Sequence, residues 1–270
     1  MKNKVIWISV ISALAIIIIC IISYILFSPY HWSQQMIKAI ENDDIERVEQ
    51  LLQKDFDVNT PNSKPNRIID AFLESSPVVP LAMACEQGYY DMVKLLIDHG
   101  ATASYIKGTG WSPLYEALWK YQPDDEKVIP LLLENGAAMC FKQCSDEHHI
   151  LMAASDATPN VLQILEKYGA DIYDTDESAN NAVMQAALYH NNAVLEYVLD
   201  NKSFDVNAAD INGQTALMMS VYFENEADIT TIELLLAHGA DKAIKDNDGK
   251  TAYDYALENG NEAIADMLVP

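Results

Sequence analysis

The chain has 270 residues, half of them apolar, and a formal net charge of −23 from 40 acidic and 17 basic residues. That composition supplies an ample core for one or two domains. It excludes a nucleic-acid binder, which needs clustered Lys and Arg against phosphate. So acidic a surface favours a basic protein partner and speeds the encounter with it.

The first element runs from Val5 to Phe27, 23 residues without a charge. As a helix it spans roughly 34 Å, enough for a hydrocarbon core of about 30 Å. A cleaved signal peptide has a shorter apolar region and a small-residue cleavage site, and Ser28-Pro29-Tyr30-His31 is a poor site. Lys2 and Lys4 precede the segment, and the next base is Lys38. The positive-inside rule then leaves residues 1–4 in the cytoplasm and sends 28–270 across the membrane. In a bacterium that places the domain in the periplasm on a single-pass inner-membrane anchor, which is the preferred placement. In a eukaryote the Asn201-Lys202-Ser203 sequon would be exposed to glycosylation.

After the anchor the chain repeats itself. A degenerate first unit runs from about Gln34 to Asn59, followed by extra residues over 60–76. Within these, Arg67 to Leu73 has the pattern of a short amphipathic helix. A dipeptide position then recurs at Val79-Pro80, Ser112-Pro113, His148-His149, Asn181-Ala182, Thr215-Ala216 and Thr251-Ala252, at intervals of 33, 36, 33, 34 and 36 residues. Unit starts fall near 31, 76, 107, 143, 176, 210 and 246. The sharpest unit reads Asp210-Ile211-Asn212-Gly213-Gln214-Thr215-Ala216-Leu217 and ends Leu234-Leu235-Leu236-Ala237-His238-Gly239-Ala240-Asp241. The next opens Asp246-Asn247-Asp248-Gly249-Lys250-Thr251-Ala252.

These residues resemble the ankyrin repeat, whose period is about 33. The resemblance implies an all-α solenoid of about seven helix-turn-helix units with short β-turn tips, preceded by the transmembrane helix. Each feature has a physical reason. Thr caps the first helix, and Pro suits its first position, where a backbone N–H has no partner. Ala pairs keep that helix thin against its neighbour. Gly after the second helix takes the left-handed conformation that ends it, and Asp-x-x-Gly makes the turn to the next unit. Such units gain stability from stacking.

No Gly-rich phosphate loop or nucleophile motif is present. The expectation is therefore no enzyme, no catalytic residue and no cofactor or small-molecule substrate. Cys140, Cys144, His148 and His149 can be drawn as a zinc site, but the repeat register separates a turn from a helix start. A disulfide between Cys140 and Cys144 is the better reading outside the cytosol. Cys85 reads as a small buried thiol, and His99 and His238 as helix-end residues. Asp124-Asp125-Glu126 reads as a solvated loop, and Asp246-Asn247-Asp248 as a repeat turn.

The resemblance implies that the two residues after each Ala pair face inward on the concave side. They are Glu41-Asn42, Glu86-Gln87, Trp119-Lys120, Ser155-Asp156, Leu188-Tyr189, Tyr222-Phe223 and Glu258-Asn259. Trp119, Lys120, Leu188, Tyr189, Tyr222 and Phe223 are the expected partner-binding residues, since grouped exposed aromatics mark interaction sites. The expected function is a membrane-anchored periplasmic protein-binding module. Its sharpest form is an immunity protein neutralising a secreted antibacterial toxin, such as a phospholipase or wall hydrolase. The alternatives are an accessory factor for a periplasmic enzyme such as a catalase, and a cytosol-facing adaptor.

Overall fold

The structure is a computed structural model that describes residues 29–54, 57–60, 79–104, 112–119, 122, 124–138, 149–221 and 228–269. The segment 5–27, the extra residues 61–76 and the pair Cys140 and Cys144 lie outside the described residues. No helix among those described is long and apolar enough to cross a membrane. They hold fourteen short helices and no strand, with one isolated antiparallel bridge between Ala209 and Thr215.

The chain divides into two compact units, the first ending at Pro113 and the second starting at Leu114. The first contains α1 (Pro29–Glu41), α2 (Ile45–Leu52), α3 (Pro80–Glu86) and α4 (Tyr90–Asp98). The second contains α5 (Pro113–Trp119) from Leu114 onward, α6 (Asp125–Glu134), α7 (His149–Asp156), α8 (Pro159–Lys167) and α9 (Ala182–Leu188). It continues through α10 (Asn192–Asn201), α11 (Ala216–Met219), α12 (Ile229–Ala237), α13 (Ala252–Glu258) and α14 (Glu262–Leu268).

The helices start where the recurring dipeptide puts them. α3, α5, α7, α9, α11 and α13 each begin at its second residue, from Pro80 to Ala252. The capping differs from one to the next. Thr251 forms a full capping box with Asp254, and Asn181 accepts from Met184 N, whereas the Thr215 side chain makes no cap bond. Val79 caps nothing and relies on Pro80 at the first helical turn.

Small residues let these first helices pack closely. Ala84 and Cys85, Ala117 and Leu118, Ala153 and Ala154, Ala186 and Ala187, and Ser220 and Val221 are all at most 1% exposed. Ser220 is polar in that set, and its hydroxyl donates to Leu217 O at 2.9 Å, which offsets its burial. The second helices bury a stripe spaced i, i+1, i+4: Val161, Leu162 and Leu165 in α8, then Val194, Leu195 and Val198 in α10. That is the narrow apolar face of a helix covered on one side. In the second unit α9 packs on α7, α10 and α11, and α11 on α12 and α13, so each pair rests on its neighbours.

The turns follow one device. Asp176, Asp210 and Asp246 each accept two backbone N–H bonds on Oδ1, from Ser178 and Asn180, Asn212 and Gln214, and Asp248 and Lys250. The residue closing each turn has a left-handed backbone: Ala179 at φ 63°, Gly213 at 78° and Gly249 at 80°. Neighbouring tips are bonded through Ile211 N to Ser178 O at 3.0 Å and Asn247 N to Asn212 O at 2.9 Å.

The acidic run at 124–126 departs from the sequence reading. Asp124 is exposed, but Asp125 opens α6 and is fully buried, so this is a helix start and not a solvated loop. The reason is local: the Asp125 carboxylate folds back to accept the Gln122 backbone N–H.

Candidate functional site

The first helices of the second unit end in side chains that the buried pairs cannot accommodate. Trp119 is the last residue of α5 and is 57% exposed; Tyr189 follows α9 and is 56% exposed. Trp119 is held by Tyr115 one turn earlier, with stacked ring centroids 5.8 Å apart and planes 12° from parallel. Tyr115 is buried, so the indole stands on a fixed base. Tyr189 donates its backbone N–H to Gln185 O at 3.1 Å, and His190 then turns left-handed at φ 55°. That turn leaves the phenol outside.

Between them α7 contributes Met152, Ser155 and Asp156. With Leu118, Trp119 and Tyr189 these line a groove of about 290 Å³. Ser155 Oγ donates to Leu151 O at 3.0 Å and approaches Gln185 Oε1 at 3.5 Å, which fixes it on the floor between two helices. Asp156 is exposed at the end of α7. The groove is thus mainly aromatic and aliphatic, with the Ser155 and Tyr189 hydroxyls and one carboxylate.

Of the expected binding residues, Trp119 and Tyr189 come together at this groove. Leu188 is half-buried beside Tyr189 and is not among the lining residues. Lys120, Tyr222 and Phe223 lie outside the described residues. Sequence reasoning placed Ser155 and Asp156 on the inner face without including them in the site, and it passed over Met152. The signal was present: Met152 is one helical turn before Ser155 and Asp156 and shares their face.

Charged groups elsewhere are tied into structure. Asp125 has its Oδ1 buried with no hydrogen-bond partner among the described residues, and burial raises its pKa to about 7. The neighbouring Glu126 accepts from Thr158 Oγ1 at 2.9 Å and Asn160 Nδ2 at 2.7 Å, joining α6 to α8. His238 Nδ1 bonds Leu234 O at 2.8 Å and its Nε2 meets Asp200 Oδ1 at 2.9 Å. The Leu234 carbonyl first, and Asp200 second, hold its pKa above the usual histidine value. Cys85 is buried, as expected. Among the described residues no group of three or more His, Cys, Asp or Glu is placed to hold a metal ion.

Comparison with known proteins agrees with this architecture. A family model described as "Ankyrin repeats (3 copies)" matches residues 36–143, 150–246 and 183–270. Alpha-latrotoxin-Lg1a of Latrodectus geometricus is 27% identical over 191 residues, 70% of this chain and 14% of that protein. A putative ankyrin repeat-containing protein of Treponema pallidum (strain Nichols) is 29% identical over 130 residues, 48% of this chain and 42% of that protein. The chain therefore spans less than half the length of either relative. The crystal structure of the human ASB11 ankyrin repeat domain is similar with a TM-score of 0.67, at 19% identity, covering 87% of this chain and 97% of that one. That likeness concerns the fold.

Proposed function

The chain belongs to the ankyrin-repeat family and is a protein-binding module, and we propose that its binding face is the groove between Trp119 and Tyr189. The observation that carries this reading is the exposure of two large aromatic side chains at first-helix ends two repeats apart, on either side of α7. Exposed Trp and Tyr are costly to leave in water and are frequent anchors of protein interfaces. The stacking of Trp119 on Tyr115 lowers the entropy lost on binding, because the indole is already held.

The finer reading is a module anchored in the inner membrane through 5–27, with the repeats in the periplasm, acting as an immunity protein that neutralises a basic secreted toxin. It is supported by the uncharged run Val5–Phe27, by Lys2 and Lys4 ahead of it, and by the net charge of −23, which favours a basic partner.

The test is a pull-down. Tagged full-length chain in detergent is exposed to envelope extract of its host, with a Trp119→Ala/Tyr189→Ala variant as control. Retention of one basic toxin or hydrolase by the parent and not by the variant is the expected result. A retained housekeeping enzyme would shift the reading to an accessory factor. Equal retention by parent and variant would remove the groove from the binding face.

A further inference from the structure

We propose that the groove takes one basic side chain of the partner, arginine in preference to lysine, laid between the Trp119 and Tyr189 rings with its charge on Asp156. This rests on the groove being the binding face, and it adds what that face selects.

Size comes first. At about 290 Å³ the groove lies at the bottom of the range for small-molecule pockets, about 300–1,000 Å³. It suits one inserted side chain better than a cofactor-sized molecule. Its chemistry then narrows the occupant. Aromatic faces attract both apolar groups and cations, and the carboxylate separates these. A neutral apolar side chain would strip water from Asp156 and return nothing. An anion would be repelled by Asp156 and by a chain of net charge −23. A cation satisfies the rings and the carboxylate together. Guanidinium is planar and weakly hydrated, stacks on aromatic faces and offers a donor fork to a carboxylate, which an ammonium does not.

The placement of Asp156 is the independent observation. It is the last residue of α7, where the helix dipole presents its negative end and an acidic side chain is unfavourable. Among the described residues the Asp156 carboxylate has no hydrogen bond and no ion pair, unlike Asp200 with His238 or Glu166 with Lys202. Helix stability gives no reason for a carboxylate there. A ligand of opposite charge does.

The test uses full-length chain in detergent micelles and five-residue glycine peptides carrying Arg, Lys, citrulline or Leu at the centre. Binding is read from the Trp119 indole N–H resonance, assigned with Trp119→Phe. The expected order is Arg, then Lys, with citrulline and Leu weaker than Arg by about tenfold or more. Asp156→Asn should reduce Arg binding by about tenfold, with a melting temperature equal to or above the parent's, since it removes an unfavourable charge from the helix end. Leu or citrulline peptides binding as well as Arg, or Asp156→Asn binding Arg unchanged, would overturn the proposal while the groove stayed a binding face. No shift of Trp119 by any peptide would overturn it too. The pull-down with Trp119→Ala/Tyr189→Ala then decides separately whether the groove binds protein at all.

Discussion

Thr102 donates its backbone N–H to Asn59 Oδ1 at 2.8 Å, while Asn59 Nδ2 donates to Gly100 O at 3.0 Å, so one side chain clamps the turn of the next repeat. Asn207 does the same in the second unit, to Gly239 O at 3.1 Å and from Asp241 N at 2.8 Å. The contact spans 43 residues from Asn59 to Thr102 and 34 from Asn207 to Asp241. The clamp therefore holds in the first unit although extra residues intervene. Replacing either asparagine with Ala removes two hydrogen bonds and leaves a carbonyl and an N–H near the surface. The expected loss is about 1–2 kcal/mol for each, measured by urea unfolding. A loss within error for Asn207→Ala would mean that water replaces the clamp without cost.

The turn-closing position gives a prediction of opposite sign at two sites. Ala179 has φ 63° where Gly213 and Gly249 stand in the following repeats. A left-handed backbone costs an L-residue roughly 1–2 kcal/mol, and the gain from Gly is partly offset by its freer unfolded chain. Ala179→Gly should therefore stabilise by about 0.5–1 kcal/mol. Gly213→Ala should destabilise by more than that. Its φ is 78°, and a Cβ there would sit 2.9 Å from Asn247 Oδ1 and 3.0 Å from Asn247 N, so strain and a clash with backbone add. Thermal melts of the two variants check both signs. Stabilisation by Gly213→Ala would show that the turn is not held in this conformation.

Most of the fold is legible in the sequence because the repeat writes the same physical instruction many times. A Pro or Ala after the cap position, a small pair facing the neighbour, an i, i+1, i+4 stripe and a terminal Gly recur at one period, so a weak signal in one unit is supported by the others. The departures come from single residues that break the pattern locally. Ala179 hides a turn because it is not glycine. Asp125 is called solvated because carboxylates usually are, and only the folded backbone at Gln122 explains its burial. Within the site, Trp119 and Tyr189 are legible by register, whereas Met152 needs the helix face to be drawn.

His238 makes stability depend on pH in a defined direction. Its folded pKa is raised from 6.5 by the Leu234 carbonyl and by Asp200, so the native state holds the proton more tightly than the unfolded chain. The stabilisation is complete below 6.5 and is lost as pH rises through the higher folded value. Both partners are partly exposed, which keeps the effect small and salt-sensitive. His238→Gln should melt below the parent on the acidic side of 6.5, with the gap closing on the alkaline side. A gap independent of pH would assign the loss to packing and not to charge.

Asp125 also makes stability fall as pH rises, but through burial of its charged form and not through a partner of opposite charge. Burial raises its pKa from 3.8 to about 7, so between those values the native state binds a proton that the unfolded chain releases. Linkage then makes its contribution fall as pH rises from 3.8 towards 7, leaving a buried charge above it. One carboxylate oxygen accepts from Gln122 N while Oδ1 has no partner among the described residues, so the carboxylate is only half satisfied. Asp125→Asn keeps an acceptor for Gln122 and carries no charge. It should raise the melting temperature above pH 7 and give no gain below 3.8. The reverse result, destabilisation at alkaline pH, would mean that the ionised carboxylate is compensated in the folded chain and that its charge stabilises the start of α6 through the helix dipole.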